Sequence, residues 1–155
     1  MNFKNKVIVI TGASSGIGEA SAIKFAKKNA KIVLVARRKE KLLQLQKKLV
    51  KFTDSTLVCQ CDVSNKTQVK EMTDIVLDTF GRIDVLINNA GFVIYGKVSE
   101  LSIEEIESQM ETNYFGMIYC TKNFLPHMIE QGRGHIVNVA SVGASFGVPG
   151  VASYC

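Results

Sequence analysis

Short apolar runs alternate with longer amphipathic ones along the chain. Five runs, VIVIT (7–11), IVLVA (32–36), TLVCQ (56–60), IDVLIN (83–88) and HIVNVA (135–140), are rich in β-branched residues and largely unbroken by polar positions. That pattern predicts strands covered on both faces, as in a parallel sheet. The segments between them carry a helical period. Leu42, Leu45 and Leu49 recur within 39–51 with Lys and Gln on the other side, and Val69, Met72, Val76 and Phe80 recur within 66–80. Ser64 or Asn65 is a candidate cap for the second of these helices, and Gly81 a candidate stop. A longer helical stretch, 102–130, carries Asn113, Gly116 and Pro126 inside it, which predicts a bend. Strand–helix alternation repeated five times predicts an α/β fold, a doubly wound parallel sheet with helices on both faces and right-handed crossovers. No linker, repeat or low-complexity stretch divides 1–155, which reads as one domain.

Composition narrows the function classes. A chain of 155 residues that is 46% hydrophobic can bury a real core, and 21% charged residues argue against disorder. The net charge is +5, with much of the excess in RRKEKLLQLQKKLVK (37–51). As a nucleic-acid-binding helix this stretch is a poor candidate: Leu42, Leu45 and Leu49 commit one face to the core, and no aromatics interleave with the lysines. Cys59, Cys61, Cys120 and Cys155 form no CxxC pair, which points to reduced thiols in a cytosolic protein. His127 and His135 are too few and too poorly spaced for a metal site. No apolar run reaches membrane-spanning length, and the N-terminus is apolar only over Val7–Ile10, so neither a span nor a signal peptide is expected. The expected location is the cytoplasm.

TGASSGIG (11–18) follows the first strand directly and opens the first helix. Its glycines are spaced GxxxGxG. Gly12 permits a tight turn, Gly16 lets backbone approach a pyrophosphate, and Gly18 lets the helix pack close to the sheet with its N–H groups aimed at phosphate. Gly12, Ser14, Ser15, Gly16, Ile17 and Gly18 are therefore the candidate cofactor-binding turn. No GK[ST] follows, which excludes a P-loop. At the end of the second strand, where an NAD site places Asp or Glu for the ribose hydroxyls, the chain reads Ala36, Arg37, Arg38. Two guanidiniums with no carboxylate between them suit the 2′-phosphate of NADP(H), with Arg37, at the strand tip, ahead of Arg38.

These motifs, in order, resemble the short-chain dehydrogenases/reductases. TGASSGIG (11–18), CDV (61–63), NNAG (88–91), TNYFG (112–116) and VNVAS (137–141), with a tyrosine thirteen residues after that serine, cover nearly the whole chain. The resemblance implies a Rossmann-type fold, of which five strands are present. It implies that Asp62 and Val63 border the adenine, that Asn89 stabilises the central strand, and that Ala90 and Gly91 run beneath the ribose. It also implies that the Asn113 carbonyl holds a water of a proton relay, that Ser141 bonds the substrate oxygen, and that Tyr154 exchanges the proton. Ala140 stands where many relatives have a second serine. The function implied is NADP(H)-dependent interconversion of a secondary alcohol and a carbonyl, commonly by a homo-oligomer, without metal, nucleic acid or membrane.

A tyrosine with its ordinary pKa near ~10 is a poor acid/base at neutral pH. Family members lower it with a lysine four residues further on, a position beyond Cys155. The chain is therefore expected to be part of a longer oxidoreductase, inactive by itself and prone to associate through the uncovered side of its fifth strand. A catalytically dead NADP(H)-binding module or scaffold is the alternative, and Ser141, Tyr154 and Asn113 argue against it. Phe92, Tyr95, Phe146 and Val148 are the expected apolar wall for a hydrophobic substrate.

Overall fold

The computed structural model describes residues 2–154, so Cys155 lies outside the described residues. The elements run β1 (Val7–Thr11), α1 (Gly16–Ala26), β2 (Lys31–Ala36), α2 (Lys39–Leu49), β3 (Thr56–Gln60), α3 (Lys66–Phe80), β4 (Val85–Asn88), α4 (Ile103–Met110), a π-helical turn (Glu111–Phe115), α5 (Gly116–Glu130) and β5 (His135–Asn138), then a 3-10 turn (Val142–Ala144). The five strands form one parallel sheet in the order β3-β2-β1-β4-β5. The order reverses between β1 and β4, leaving a crevice at the carboxyl ends of these two strands, where this architecture binds ligands.

Alternation along the strands divides the core in two. Val7, Val9, Val33 and Val35 pack with Val69, Met72 and Val76 of α3 and with Cys120, Phe124 and Met128 of α5. Ile8, Ile10, Ile32 and Leu34 point the other way, onto Ala22 and Ala26 of α1 and Leu42, Leu45 and Leu49 of α2. The leucine triad is buried as its spacing predicts. Each such side chain contributes about 1.5–3 kcal/mol.

Boundaries follow local hydrogen bonding. Asn65, not Ser64, caps α3: its Oδ1 accepts from the N–H groups of Thr67 and Gln68 at 3.0 and 3.1 Å. Gly81 closes the helix in the left-handed conformation. The basic helix stops at Leu49, two residues short of 51, because Phe52 and Thr53 turn their N–H groups back onto the Leu49 carbonyl. β4 begins at Val85 because Ile83 and Asp84 are a lead-in organised by side chains. The buried Asp84 carboxylate accepts from the Val7 N–H at 3.0 Å and from Lys6 at 3.0 Å, and pairs with Arg82. β5 stops at Asn138, not 140, because its neighbour β4 leaves the sheet at Asn88.

The predicted bend in 102–130 is a π-helical turn around Asn113, while Pro126 sits inside α5 without ending it. Gly116 follows the turn where a Cβ would strike the Val63 side chain. Among the described residues β5 is an edge strand, with Val137 and Val139 exposed. No helix of the described residues is long and apolar enough to cross a membrane.

Candidate coenzyme and active site

The crevice holds a cleft of about 1040 Å³. Fifteen of the sixteen candidate site residues line it: Gly12, Ser14, Ser15, Gly16, Ile17, Arg37, Arg38, Asp62, Val63, Asn89, Ala90, Gly91, Asn113, Ser141 and Tyr154. The sixteenth, Gly18, lies beneath the turn, where a Cβ would collide with the Gly12 carbonyl oxygen and the Asn89 amide. Gly12 has φ +65°, and a Cβ there would stand 2.9 Å from the Ala90 Cα. Only glycine allows the first and fourth strands' exits to approach so closely.

That approach is fastened by side chains. Thr11, nearly fully buried, accepts the N–H groups of Asn89 and Ala90 on its Oγ1, both at 2.9 Å. Asn89 in return donates its amide to the Thr11 carbonyl at 2.9 Å. Thr11 escapes sequence reasoning because a threonine ending a strand looks ordinary; its position one residue before the glycine turn is the available signal. Behind the turn, Asn88 donates to Thr121 Oγ1 at 3.1 Å and to Asn138 Oδ1 at 2.9 Å.

On the opposite rim the two arginines separate. Arg38 folds onto the glycine turn, its Nη2 donating to Ser14 Oγ at 2.8 Å and Ser15 Oγ at 2.9 Å. Arg37 is exposed and faces the Asp62 carboxylate at 4.0 Å. Asp62 also accepts from the Ser64 N–H and hydroxyl, so it does organise the start of the α3 approach as well as the cleft wall. Cys61 lines the same wall, and burial, followed by the charges of Asp62, Cys59 and Glu71, pushes its thiol up to about 12. It is a protonated thiol at neutral pH and no nucleophile.

At the other end, Asn113 uses its side chain on the loop after β4, accepting the Phe92 N–H at 3.0 Å and donating to the Phe92 carbonyl at 2.8 Å. Ser141 caps the 3-10 turn by accepting the Gly143 N–H at 3.1 Å, which leaves its own hydroxyl proton free to donate. Gly143 brings Ser141 and Tyr154 together: a Cβ on it would lie 3.4 Å from both the Ser141 Oγ and the Tyr154 ring. Of the expected apolar wall only Phe92 reaches the cleft. Tyr95 and Phe146 are 78% and 66% exposed and Val148 is also exposed. Met110 and Met117 line the cleft instead, on faces of the bent helix that its composition did not single out.

The family model for short chain dehydrogenases matches residues 6–155. The chain belongs to that family. Within it, an uncharacterised oxidoreductase of Staphylococcus aureus (strain USA300) is 41% identical over 138 residues, 89% of this chain and 59% of that protein. One from Staphylococcus saprophyticus is 40% identical over 154 residues, 99% of this chain and 62% of its own length. The chain thus spans about three-fifths of the curated relatives it matches. Among solved structures, a metagenomic short-chain oxidoreductase in complex with NADP superposes with a TM-score of 0.94 at 33% identity, over 99% of this chain and 70% of that one. NAD⁺-bound xylitol dehydrogenase superposes with a TM-score of 0.95 at 30% identity, over 99% and 60%. Membership of the short-chain dehydrogenase family and the doubly wound fold are thereby shown, and the two similar structures bind NADP and NAD⁺ respectively.

Proposed function

We propose that this chain carries the coenzyme site and the proton-exchanging residues of an NADP(H)-dependent oxidoreductase acting on a secondary alcohol or the corresponding carbonyl. The observation that carries the coenzyme choice is Arg38 seated on Ser14 and Ser15 beside Arg37, with no carboxylate at the end of β2. Hydroxyls and guanidinium together form a donor set suited to a phosphate monoester, and β2 ends on no carboxylate that would hold a ribose diol. The turn Gly12–Gly18 fits the pyrophosphate: it is glycine-lined, open above Gly16, and leads into the N-terminus of α1. Asp62 and Val63 border the adenine end, and Asn89, Ala90 and Gly91 the ribose between the two ends of the cleft. When bound, NADP(H) supplies or accepts the hydride.

The chain's own residues handle the substrate oxygen. Ser141, whose hydroxyl proton is free, donates to it and orients it. Tyr154, on the same side of Gly143, gives the proton to the forming alcohol or takes it in the reverse direction. Asn113 holds the loop under this site, and the π-helical turn that contains it supports the proton relay expected of it. Phe92, Met110 and Met117 make an apolar approach for a hydrophobic substrate. The complete protein acts as a homo-oligomer in this reading, supported by apolar side chains left exposed on α5 and β5, Ile129 and Val137 among them.

The test is a fluorescence titration of the full-length protein with NADPH and NADH, followed by carbonyl reduction with Tyr154→Phe as control. Tighter binding of NADPH and loss of turnover, but not of coenzyme binding, in the variant are expected. Equal affinities remove the NADP(H) assignment; a fully active Tyr154→Phe removes the assignment of the acid/base.

A further inference from the structure

Gln109, in the last turn of α4, is only 1% exposed, and both ends of its amide are engaged. Its Oε1 accepts the Ile94 N–H at 2.6 Å, and its Nε2 donates to Ser153 Oγ at 3.2 Å. Four residues on, Asn113 grips the backbone of Phe92 in the same manner. Two amides of one continuous helical segment thus hold alternate residues of the loop that leaves β4. That loop is tied in turn to the approach to Tyr154. Gly96 donates its N–H to the Gly150 carbonyl at 2.9 Å and bridges Val151, whose carbonyl accepts the Tyr154 N–H at 2.9 Å. Among the described residues, Gln109 is the only side chain hydrogen-bonded to both segments. The start of α4 is itself pinned by a reciprocal cap between Ser102 and Glu105, so the helix is a fixed post.

We propose that Gln109 is a positioning residue for Tyr154, locking Ser153 and the loop at Ile94 to one helix so that the phenol stands at a set distance from Ser141. The proposal rests on the reading of Tyr154 as the proton-exchanging group. Gln suits the place because a buried amide offers an acceptor to Ile94 and a donor to Ser153 at once. Leu fills the same space and leaves both partners unpaired. Glu keeps the acceptor for Ile94 and lets the Ser153 hydroxyl rotate to donate, at the cost of a buried charge.

The full-length protein carrying tyrosine labelled with ¹³C at Cζ gives a direct readout, with Tyr154→Phe assigning the signal. In Gln109→Leu the Tyr154 signal is expected to move or broaden while that of Tyr119, half-buried against the core, stays in place. Turnover is expected to fall ~10–100-fold, the scale of a small misplacement of a reacting group, with NADPH affinity kept within about twofold. Gln109→Glu should restore part of both. An unchanged Tyr154 signal in Gln109→Leu overturns the proposal, as does a parallel loss of turnover and coenzyme affinity, which would mark general loosening. If Gln109→Leu does not fold, Ser153→Ala removes only the contact next to Tyr154 and is read by the same signal. A wild-type protein that neither binds NADPH nor reduces carbonyls defeats the assigned function, and the Tyr154 signal still decides this inference.

Discussion

Replacing Arg38 with alanine isolates the contact on which the proposed coenzyme choice turns. The guanidinium reaches Ser14 through Nε at 3.3 Å and Nη2 at 2.8 Å, and Ser15 through Nη2 at 2.9 Å. It is therefore held over the glycine turn before any ligand arrives, so little side-chain entropy remains to be lost on binding. A hydrogen bond to a charged partner is worth about 1.5–3 kcal/mol. The site is at the cleft edge and solvent-screened, so the lower end applies, about 1.5 kcal/mol, or roughly tenfold in affinity. NADPH should bind roughly tenfold more weakly to Arg38→Ala, with NADH changed by less than about twofold. Arg37→Ala should cost less, because Arg37 is 66% exposed and its nearest charge, Asp62, is 4.0 Å away. Fluorescence titration of both variants at low and high salt checks this, and added salt should narrow the preference for NADPH. Equal losses for the two coenzymes would show that Arg38 acts on the turn and not on a phosphate. A larger loss in Arg37→Ala would restore the order read from the strand tip.

Asp84 offers a stability test far from the site. Burial alone would raise its carboxyl, but the Val7 N–H, Arg82 and Lys6 outweigh that and hold it below the ordinary carboxylate range. With the folded value depressed, the stabilisation is present above the unfolded value near ~4 and is lost as pH falls through the folded one. Asp84→Asn should therefore lose about 1–3 kcal/mol in urea melts at pH ~7, with the gap to wild type closing in strong acid; a pH-independent gap would contradict the linkage. Burial pushes Cys59 up to about 11 and, with smaller charge contributions, Cys61 and Cys120 up to about 12. A disulfide reagent at pH ~8 should leave these three thiols unreacted until denaturant is added, and rapid reaction of more than one thiol per native chain would contradict it.

The order of elements and the two-faced cover of the sheet were legible from residue patterns, because each depends on spacing within one segment, whereas most of the cleft lining was expected only from the family resemblance. A run such as VIVIT must be buried on both sides wherever it lies, and Leu42, Leu45 and Leu49 share a face by helical geometry alone. TGASSGIG was legible as a turn for a similar reason: the positive φ at Gly12 and Gly16 is a demand of local backbone. Strand ends were less legible. β5 stops at Asn138 because β4 turns away at Asn88, fifty positions earlier in the chain.

Partnerships across the fold belonged to tertiary structure. Sequence position placed Arg37 nearer the ribose, yet the fold brings Arg38 onto Ser14 and Ser15, more than twenty residues upstream. Thr11 gains its role only because Asn89 and Ala90 arrive beside it, and Gln109 only because Ile94 and Ser153 converge on the same buried amide. A residue's own sequence neighbours state whether it prefers helix, strand or turn and whether it seeks burial. Which distant donor meets which acceptor is set by the packing of whole elements, and in this member of the short-chain dehydrogenase family that packing decides how the two ends of the cleft are held.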